Sequence, residues 1–276
     1  MPGLVSREVQ TTLNYLAGTT DGEKPYFYTY EPPAGKPVRN LVTEASPATI
    51  HDARGREGDF SLDTNGFAFV NSPTQEKLFE DEQAITTGYY KEVEELLKRE
   101  AGAKRVVIFD HTIRRPPSED VPVYKQRGPA EFVHVDQTHK AGIARVHRHL
   151  GAEAEHYLKG RSRIINVWRP IGNTVAHHPL AVADFRTIDR EKDLVAARLI
   201  YEDREGETFS VKHNPNLKWY YLADQTPDEV ILIKCWDSDT TKALLTPHTA
   251  FKDSTSPADA PQRQSIEVRC LVFDQE

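Results

Sequence analysis

Cysteine is scarce in this sequence, which has two in 276 residues, Cys235 and Cys270. Both lie inside apolar segments, EVILIKCW and SIEVRCLVF, that are typical of buried strands. So small a number excludes a disulfide framework, and buried free cysteines behave as small apolar side chains. We therefore expect two reduced thiols in a cytoplasmic protein.

Long apolar runs and concentrated charge are also missing. No run approaches the roughly 18 apolar residues of a membrane-spanning helix, and the N-terminus lacks the basic-then-apolar order of a secretory signal. The formal net charge of −7 is spread along the chain without a basic stripe. These absences argue against nucleic acid and membrane surfaces as partners.

What remains is the composition of an ordinary globular protein, with 38% hydrophobic and 28% charged residues. Proline and glycine cluster at 31–40, 114–129 and 254–262, which indicates loops too short to separate domains. We expect a single domain over residues 1–276. In it, residues 1–104 would form a helical and strand extension packed on a core formed by residues 105–276.

Apolar periodicity predicts helices early in the chain and strands mainly later. A serine followed by proline at 72–73 predicts the start of one helix, apolar residues recur at helical spacing from Tyr89, and Gly102 predicts its end. A second helical stretch covers 138–160 and is broken near Gly151. Strands are predicted at 25–31, 65–70, 105–112, 131–138, 163–170, 179–185, 197–203, 207–213, 218–224, 229–236 and 265–273.

The order of these elements predicts the fold class. Helices followed by many short strands, with turn residues between them, indicate an α+β domain with a mainly β core. A β-sandwich or an open barrel is the architecture that such a run of strands favours.

The segment EFVHVDQTH (131–139) combines an apolar strand pattern with ionisable side chains. His134 and Asp136 are two residues apart, so both side chains leave the same strand face, where burial without a partner is costly. An imidazole nitrogen and a carboxylate oxygen placed in this way can meet one divalent ion. With a third ligand they would form the two-histidine, one-carboxylate face typical of non-haem Fe(II) oxygenases. In a chain with 11 histidines, the alternative is a hydrogen-bonded pair.

The second half of the chain supplies further candidates. His248 lies in LLTPHTAF, and Arg263-Gln264-Ser265 opens the last predicted strand fifteen residues later. Arg263 and Ser265 share a strand face, where a guanidinium and a hydroxyl can hold a carboxylate. Beside an iron site, this pair suits a dicarboxylic keto acid that chelates the metal through its other end.

Seven segments in order along the chain resemble the Fe(II)/2-oxoglutarate-dependent oxygenases of natural-product pathways. They are HVDQ, INVWRP, PLAVAD, KWYY, DEVILIKCWDS, TPHTAF and RQSIEVRCLVF. The branch that they resemble is the gibberellin-desaturase and AsaB-type hydroxylase/desaturase group, which includes the oxygenase component of cephamycin methoxylation. The resemblance covers roughly residues 105–276 and is far more specific than the His-x-Asp pair alone.

The resemblance implies a double-stranded β-helix (jelly-roll) core with flanking helices from the N-terminal half. It implies that His134, Asp136 and His248 bind Fe(II), and that Arg263 and Ser265 bind the distal carboxylate of the cosubstrate 2-oxoglutarate. With O2, such enzymes decarboxylate 2-oxoglutarate and form an Fe(IV)-oxo species that hydroxylates or desaturates a C–H bond. The carboxylate of Asp136 argues against a halogenase variant, in which a small residue frees a metal position.

Two other residues have alternative roles. Asn166, in RIINVWRP, could hydrogen-bond the metal-bound carboxylate of 2-oxoglutarate, or it could hold a backbone edge. Arg269 alternates in phase with Arg263 and Ser265, so it is the rival residue for the distal carboxylate. A structural ion pair is the alternative for Arg269.

The expected substrate is a small hydrophobic metabolite, an intermediate of secondary metabolism. Two other functions compete with this interpretation. One is an iron oxidase that does not use 2-oxoglutarate, against which the Arg263 and Ser265 pair speaks. The other is a non-catalytic or partner-dependent accessory subunit that presents substrate. The sequence is also compatible with a homo-oligomer or with a pathway-enzyme partner.

Overall fold

The structure, a computed structural model, describes residues 7–116 and 128–275. The strands in these ranges are β1 (Glu8–Thr19), β2 (Tyr26–Tyr28), β3 (Leu41–Asp52), β4 (Phe67–Asn71), β5 (Arg105–Arg114), β6 (His134–Val135), β7 (Ser162–Pro170), β8 (Leu180–Ala183), β9 (Leu194–Ile200), β10 (Glu205–Val211), β11 (Trp219–Tyr221), β12 (Glu229–Asp237), β13 (His248–Ala250) and β14 (Ser265–Phe273). The helices are α1 (Glu82–Ala84), α2 (Tyr90–Ala101), α3 (His139–Leu150) and α4 (Ala154–Leu158).

Two sheets enclose the main core. The larger sheet has the order β1-β3-β11-β8-β13-β6-β10-β9-β2, and the smaller has the order β4-β12-β7-β14-β5. Both contribute to one cluster of buried side chains, with Leu180 and Val182 from the larger sheet and Ile233 and Leu271 from the smaller. Burying each such side chain contributes about 1.5–3 kcal/mol. This mainly β architecture confirms the predicted double-stranded β-helix core.

Helix α2 covers the outer face of the smaller sheet. Val93, Leu96 and Leu97 lie on one face of the helix and join a buried cluster with Val268 of β14. The helix ends at Gly102, which has the left-handed backbone angle φ of 64°. The predicted end of this helix is therefore confirmed.

Its predicted start at residues 72–73 is wrong. The first helical residues are Glu82–Ala84, and the side chain of Asp81 accepts a hydrogen bond from Gln83 N. A π-helical turn, Ile85–Tyr89, then leads into α2. Before this, the carboxylate of Glu76 accepts hydrogen bonds from the backbone of the next turn, and Phe79 has φ of 52°. These contacts hold the segment in a non-helical loop.

The long strands β1 and β3 were not among the predicted strands. They pair antiparallel along their length, and Pro47 of β3 lies opposite Thr12. A proline argues against a strand because it lacks a backbone donor. Strand β11 pairs only with the last three residues of β3, 50–52, so Pro47 lies where β3 has no second neighbour. Residues 8–71 thus supply strands to both sheets. The assignment of the whole chain to a single domain stays a prediction.

The segment after β6 was predicted as strand to residue 138, but β6 contains only His134–Val135. The chain leaves the sheet because Thr138 caps α3, its hydroxyl accepting a hydrogen bond from Ala141 N. The predicted helical stretch and its break are confirmed, since a 3-10 turn at Gly151–Glu153 separates α3 from α4. The other predicted strands are present with ends shifted by a few residues.

Helix α3 packs closely on β12. A Cβ atom added at Gly142 would lie 2.3 Å from the ring of Trp236, so only glycine allows this approach. The helix begins three residues after Asp136 and therefore fixes the chain that follows the predicted metal-ligating pair.

Both cysteines are buried and free, as predicted. Burial raises the pKa of Cys235 and of Cys270 well above the ordinary value of a thiol. Within the two described ranges, no helix is long and apolar enough to cross a membrane. Of the predicted loop at 114–129, residues 117–127 lie outside the described ranges.

Candidate metal centre and cosubstrate site

Two neighbouring strands bring His134, Asp136 and His248 together. Strand β13 places His248 directly opposite His134 of β6, and Asp136 follows β6 at once. Asp136 Oδ1 lies 3.4 Å from His134 Nε2 and 3.9 Å from His248 Nε2. One ligand atom from each residue lies within 4.8 Å of the other two. These three residues, called the triad below, thus meet as predicted.

Backbone carbonyls orient both imidazoles. His134 Nδ1 lies 2.7 Å from the oxygen of Phe132, and His248 Nδ1 lies 3.0 Å from the oxygen of Thr246. Because a carbonyl oxygen only accepts, each Nδ1 carries a hydrogen, and in the neutral ring that binds a metal Nε2 has the lone pair. Two such lone pairs and a carboxylate oxygen are a donor set suited to a divalent transition metal such as Fe(II).

The electrostatics of the triad favour a cation. Burial raises the pKa of the Asp136 carboxyl, but the hydrogen bond to His134 and the positive charge of Arg269 outweigh it, and the pKa is held well below its ordinary value. Burial lowers the pKa of His248, and the neighbouring His134 lowers it further. Burial also disfavours the charged form of His134, yet Asp136 raises its pKa overall. An ionised carboxylate is therefore held between two imidazoles.

The second carboxylate oxygen of Asp136 is held by protein groups. Asn166 Nδ2 donates to Oδ2 at 2.7 Å, and Arg269 Nε lies 3.5 Å from the same atom. Oδ1 is left to face the histidines. Asn166 lies on β7 beside the triad, and its own Oδ1 is buried without a hydrogen-bond partner in the described part of the chain. A ligand that donates a hydrogen bond there would satisfy it.

Gly66 positions the segment that carries His248. It has φ of 89°, and a Cβ atom at this residue would lie 2.5 Å from Thr246 Oγ1. Thr246 Oγ1 donates to the oxygen of Gly66 at 2.6 Å, while the Thr246 carbonyl accepts from His248. Glycine at position 66 thus allows the close approach that orients a candidate metal ligand.

The triad borders a cavity, the triad cavity, which Arg114, Arg263 and Trp168 also line. Arg263 is 4% exposed, and its Nη1 donates to the oxygen of His178 at 2.7 Å. Its Nε has no hydrogen-bond partner among residues 7–116 and 128–275. Burial lowers the pKa of Arg263 to about 9, and the positive charge of Arg114 contributes to this. A buried cation with an unused donor is a ready site for an anion.

Ser265 is buried at the first position of β14, opposite Arg114 of β5 and Pro170 of β7. It is separated from Arg263 by one residue, as an alternating strand pattern requires for side chains on one face. Their joint action on one carboxylate stays a prediction.

Arg269 is held by protein groups on every nitrogen. Nη1 donates to Asp110 Oδ1 at 3.0 Å and to Thr112 Oγ1 at 2.9 Å, and Nη2 donates to Glu267 Oε1 at 2.6 Å. Burial alone would lower the pKa of Arg269, but Glu267, Asp136 and Asp110 raise it well above the ordinary value. These contacts are those of the structural ion pair considered as the alternative.

Arg114 and Glu267 border the triad cavity and were not recognised in the sequence. Arg114 was assigned to a proline-rich loop, but it is the last residue of β5. The available signal was the alternation of Asp110, Thr112 and Arg114, which puts three polar side chains on one face of an apolar strand.

Comparison with known proteins agrees with this geometry. The model of a family described as "Oxidoreductase/YMDC permease-like domain" matches residues 13–273. The Fe(II)/2-oxoglutarate-dependent dioxygenase nvfI of Aspergillus novofumigatus is 37% identical over 253 residues, covering 90% of each chain. The hydroxylase/desaturase efuI of Hormonema carpetanum is 36% identical over 296 residues, covering 98% of this chain and 97% of its own. The solved structure of the iron and alpha-ketoglutarate-dependent endoperoxidase NvfI matches with a TM-score of 0.87 at 33% identity, covering 98% of this chain and 99% of its own.

The jelly-roll core and the converging triad define a non-haem iron oxygenase. Within that class, the chain belongs to the oxidoreductase family whose model it matches and to the Fe(II)/2-oxoglutarate-dependent oxygenases. It is an enzyme that uses Fe(II), 2-oxoglutarate and O2.

Proposed function

We propose that His134, Asp136 and His248 hold Fe(II) through their Nε2, Oδ1 and Nε2 atoms. The observation that carries this proposal is their convergence within 4.8 Å at the edge of a cavity that contains an incompletely bonded arginine. Fe(II) bound together with 2-oxoglutarate supplies the O2 activation and the oxidation of a substrate C–H bond. The protein's own contribution is to bind, orient and shield the reactants.

Arg263 is the residue that we assign to the distal carboxylate of 2-oxoglutarate, with Ser265 beside it. The triad cavity connects the guanidinium of Arg263 with the triad, as one molecule with a chelating end and a carboxylate end requires. The unused Nε donor and the depressed pKa of Arg263 both favour a bound anion. The rival, Arg269, has no nitrogen free of protein contacts.

Asn166 and Arg269 act in this proposal as positioning residues. Both contact Oδ2 of Asp136, so they fix the carboxylate with Oδ1 toward the two imidazoles. A contact of Asn166 with the bound cosubstrate stays a prediction, because its donor Nδ2 already bonds Asp136.

We propose that the reaction is the hydroxylation or desaturation of a small natural-product intermediate. The names of the relatives support an oxidation of this kind. The accessory-subunit alternative gains no support, because the relatives are themselves named as enzymes and the triad is intact. An oxidase without 2-oxoglutarate would leave the buried charge of Arg263 without a function.

The direct test is to follow succinate formation from 2-oxoglutarate with Fe(II) and O2. We expect the wild type to form succinate, and His134→Ala and His248→Ala to lose both Fe(II) affinity and succinate formation. If both variants fold and retain Fe(II) affinity, the triad assignment is wrong. Succinate formation by Arg263→Met with unchanged affinity for 2-oxoglutarate would contradict the role of Arg263.

Three further expectations belong to the proposal. The cytoplasmic location is supported by the two buried, free thiols. A homo-oligomer or a pathway-enzyme partner stays a prediction, which measurement of the mass in solution would test. The single-domain organisation predicts one cooperative unfolding transition.

A further inference from the structure

Asp136 borders a second opening besides the triad cavity. This opening, the α3 cleft, lies between helix α3 and the β9–β10 hairpin, and Lys140, Arg145, Arg148 and Leu199 contribute to its walls. Its cavity volume is about 290 Å³, against about 20 Å³ for the triad cavity. The α3 cleft therefore has room for a molecule larger than 2-oxoglutarate, and it reaches a triad residue.

Positive charge in the α3 cleft exceeds what its carboxylates compensate. Three of its basic residues have acidic partners: Lys24 with Glu207 at 2.6 Å, Arg198 with Glu205 at 3.0 Å, and Arg204 with Asp203 at 2.8 Å. Of the other three, Arg145 and Arg148 have no carboxylate oxygen within 4.0 Å among residues 7–116 and 128–275, whereas Lys140 interacts electrostatically with Glu205 and Glu207. This local excess stands out in a chain of net charge −7.

Arg145 and Arg148 lie on the same side of α3, three residues apart. The guanidinium of Arg145 lies 5.1 Å from the centre of the Phe109 ring, which limits its freedom. Burial lowers the pKa of His149, and the positive charges of Arg145 and Arg148 lower it further. Their spacing of three residues on one side of α3 allows the two guanidinium groups to act on one anion in the cleft that both line.

The distance between the basic residues along α3 sets the length expected of the ligand. From Lys140 to Arg148 the helix advances eight residues, about 12 Å at 1.5 Å per residue. Ala144 lies between these cations along the cleft, and Leu199 faces it from β9. A ligand whose anionic group lies at Arg148 and whose other end reaches Asp136 therefore has an apolar body of about that length.

We propose that the α3 cleft binds the organic substrate, and that this substrate is an amphipathic carboxylic acid. Arg145 and Arg148 hold its carboxylate, while its apolar body runs along Ala144 and Leu199 toward Asp136. The inference rests on the proposed function and refines it, because it names the chemical class of substrate. It also separates the two anions, with 2-oxoglutarate at Arg263 and the substrate carboxylate at α3.

Binding of decanoate and of 1-decanol, which differ only in the head group, tests the proposal. Isothermal titration calorimetry would use protein loaded with Mn(II) and saturating 2-oxoglutarate, so that no turnover occurs. We expect decanoate to bind the wild type about tenfold more tightly than 1-decanol, because only decanoate can form charge-assisted hydrogen bonds. The double variant Arg145→Gln/Arg148→Gln should lose this preference and keep its affinity for 2-oxoglutarate.

Arg190→Gln is the matched control. Its guanidinium also lies over an aromatic ring, that of Phe185 at 5.9 Å, but it does not line the α3 cleft. It should bind decanoate as the wild type does.

The inference is overturned if the wild type does not prefer decanoate, or if the double variant retains that preference. It is also overturned if decanoate binds only when 2-oxoglutarate is omitted, which would make the cleft a cosubstrate site. Failure of the proposed function looks different. In that case the affinity for 2-oxoglutarate would not depend on Arg263, whatever decanoate does.

Discussion

Two arginines six residues apart, Arg263 and Arg269, border the same site and differ in their bonding. Arg263 has one carbonyl partner on Nη1 and a buried Nε without a partner in the described part of the chain. Arg269 contacts three carboxylates and a hydroxyl. Burial therefore lowers the pKa of one guanidinium, and acidic neighbours raise that of the other despite burial.

This contrast in bonding indicates where the protein leaves room for a ligand. A buried polar group without a partner is costly, so its presence beside a cavity indicates that something else satisfies it. A fully paired group is part of the structure, and its removal exposes the charges of its partners. By this criterion we expect Arg263 to bind a ligand and Arg269 to support the structure around Asp136.

The largest expected effect is on the metal itself. His248→Ala removes one of three protein ligands, so we expect the affinity for Fe(II) to fall by at least about 1,000-fold and succinate formation to disappear. Anaerobic Fe(II) titration measures this. His147→Ala, an exposed histidine on α3, is the control and should bind Fe(II) normally.

Replacing Arg263 or Arg269 with methionine should separate cosubstrate binding from structural support. Arg263→Met removes the proposed clamp, so we expect the affinity for 2-oxoglutarate to fall about 100-fold, equivalent to about 2.7 kcal/mol. Without ligands this variant should be at least as stable as the wild type, because an uncompensated buried charge has been removed.

Arg269→Met should show the reverse pattern. It leaves Asp110, Glu267 and Asp136 without their shared cation, and we expect the free energy of unfolding to fall by about 3–5 kcal/mol. Urea unfolding of the ligand-free variants and calorimetry with 2-oxoglutarate measure both effects. If Arg263→Met lowers the free energy of unfolding and leaves the affinity for 2-oxoglutarate intact, the roles assigned to Arg263 and Arg269 are wrong.

Asn166→Leu should have a smaller effect, on the orientation of the carboxylate. It removes the 2.7 Å hydrogen bond to Asp136 Oδ2 while keeping a side chain of similar size. Loss of a partner of this kind lowers metal affinity by about 10–100-fold. Thr112→Val is the matched control, because it removes a contact of Arg269 but none of Asp136. Unchanged metal affinity in Asn166→Leu would remove Asn166 from the positioning residues.

The smallest expected effect concerns an ion pair outside the site, in which Asp63 contacts Arg161 and Lys234. Burial raises the pKa of Asp63, but Arg161 and Lys234 outweigh it and lower the pKa to about 2. Ionised Asp63 therefore stabilises the folded state above its ordinary pKa of 3.8, and this is lost as the pH falls toward 2. Because the side chain is 40% exposed, we expect Asp63→Asn to cost only about 1 kcal/mol at pH 7.

Urea unfolding of Asp63→Asn between pH 7 and pH 3 measures this effect. The difference from the wild type should shrink as the pH falls below 4. Asp59→Asn, in an exposed pair with Arg56, is the control and should change little at any pH. A difference that is independent of pH would show that the charge of Asp63 is not responsible.

The parts of the site that the sequence predicts are those set by short-range geometry. The spacing of His134 and Asp136 and the alternation along β14 indicate shared faces without knowledge of the fold. The two roles considered for Arg269 could be separated only by the structure, because Asp110 and Thr112 reach it from β5 across a sheet. Arg114 was missed for the same reason, since its neighbour Ser265 is 151 residues away in the chain.

The fold divides in a similar way. Strands with apolar alternation, such as β12 and β14, are recognisable alone. The paired strands β1 and β3 have many exposed polar residues and owe their conformation to each other and to the edge position of Pro47. The helix predicted from residues 72–73 failed because hydrogen bonds from the Glu76 side chain compete with helix formation.

The most direct test of the comparison is an anaerobic titration of the metal-free protein with Fe(II) and then 2-oxoglutarate, followed by the visible metal-to-ligand charge-transfer band. We expect a band that requires both additions and is absent in His134→Ala. It should need about 100-fold more 2-oxoglutarate in Arg263→Met. If iron binds and no band forms, 2-oxoglutarate does not chelate the metal. If the band forms in Arg263→Met at wild-type concentrations of 2-oxoglutarate, Arg263 does not bind the cosubstrate.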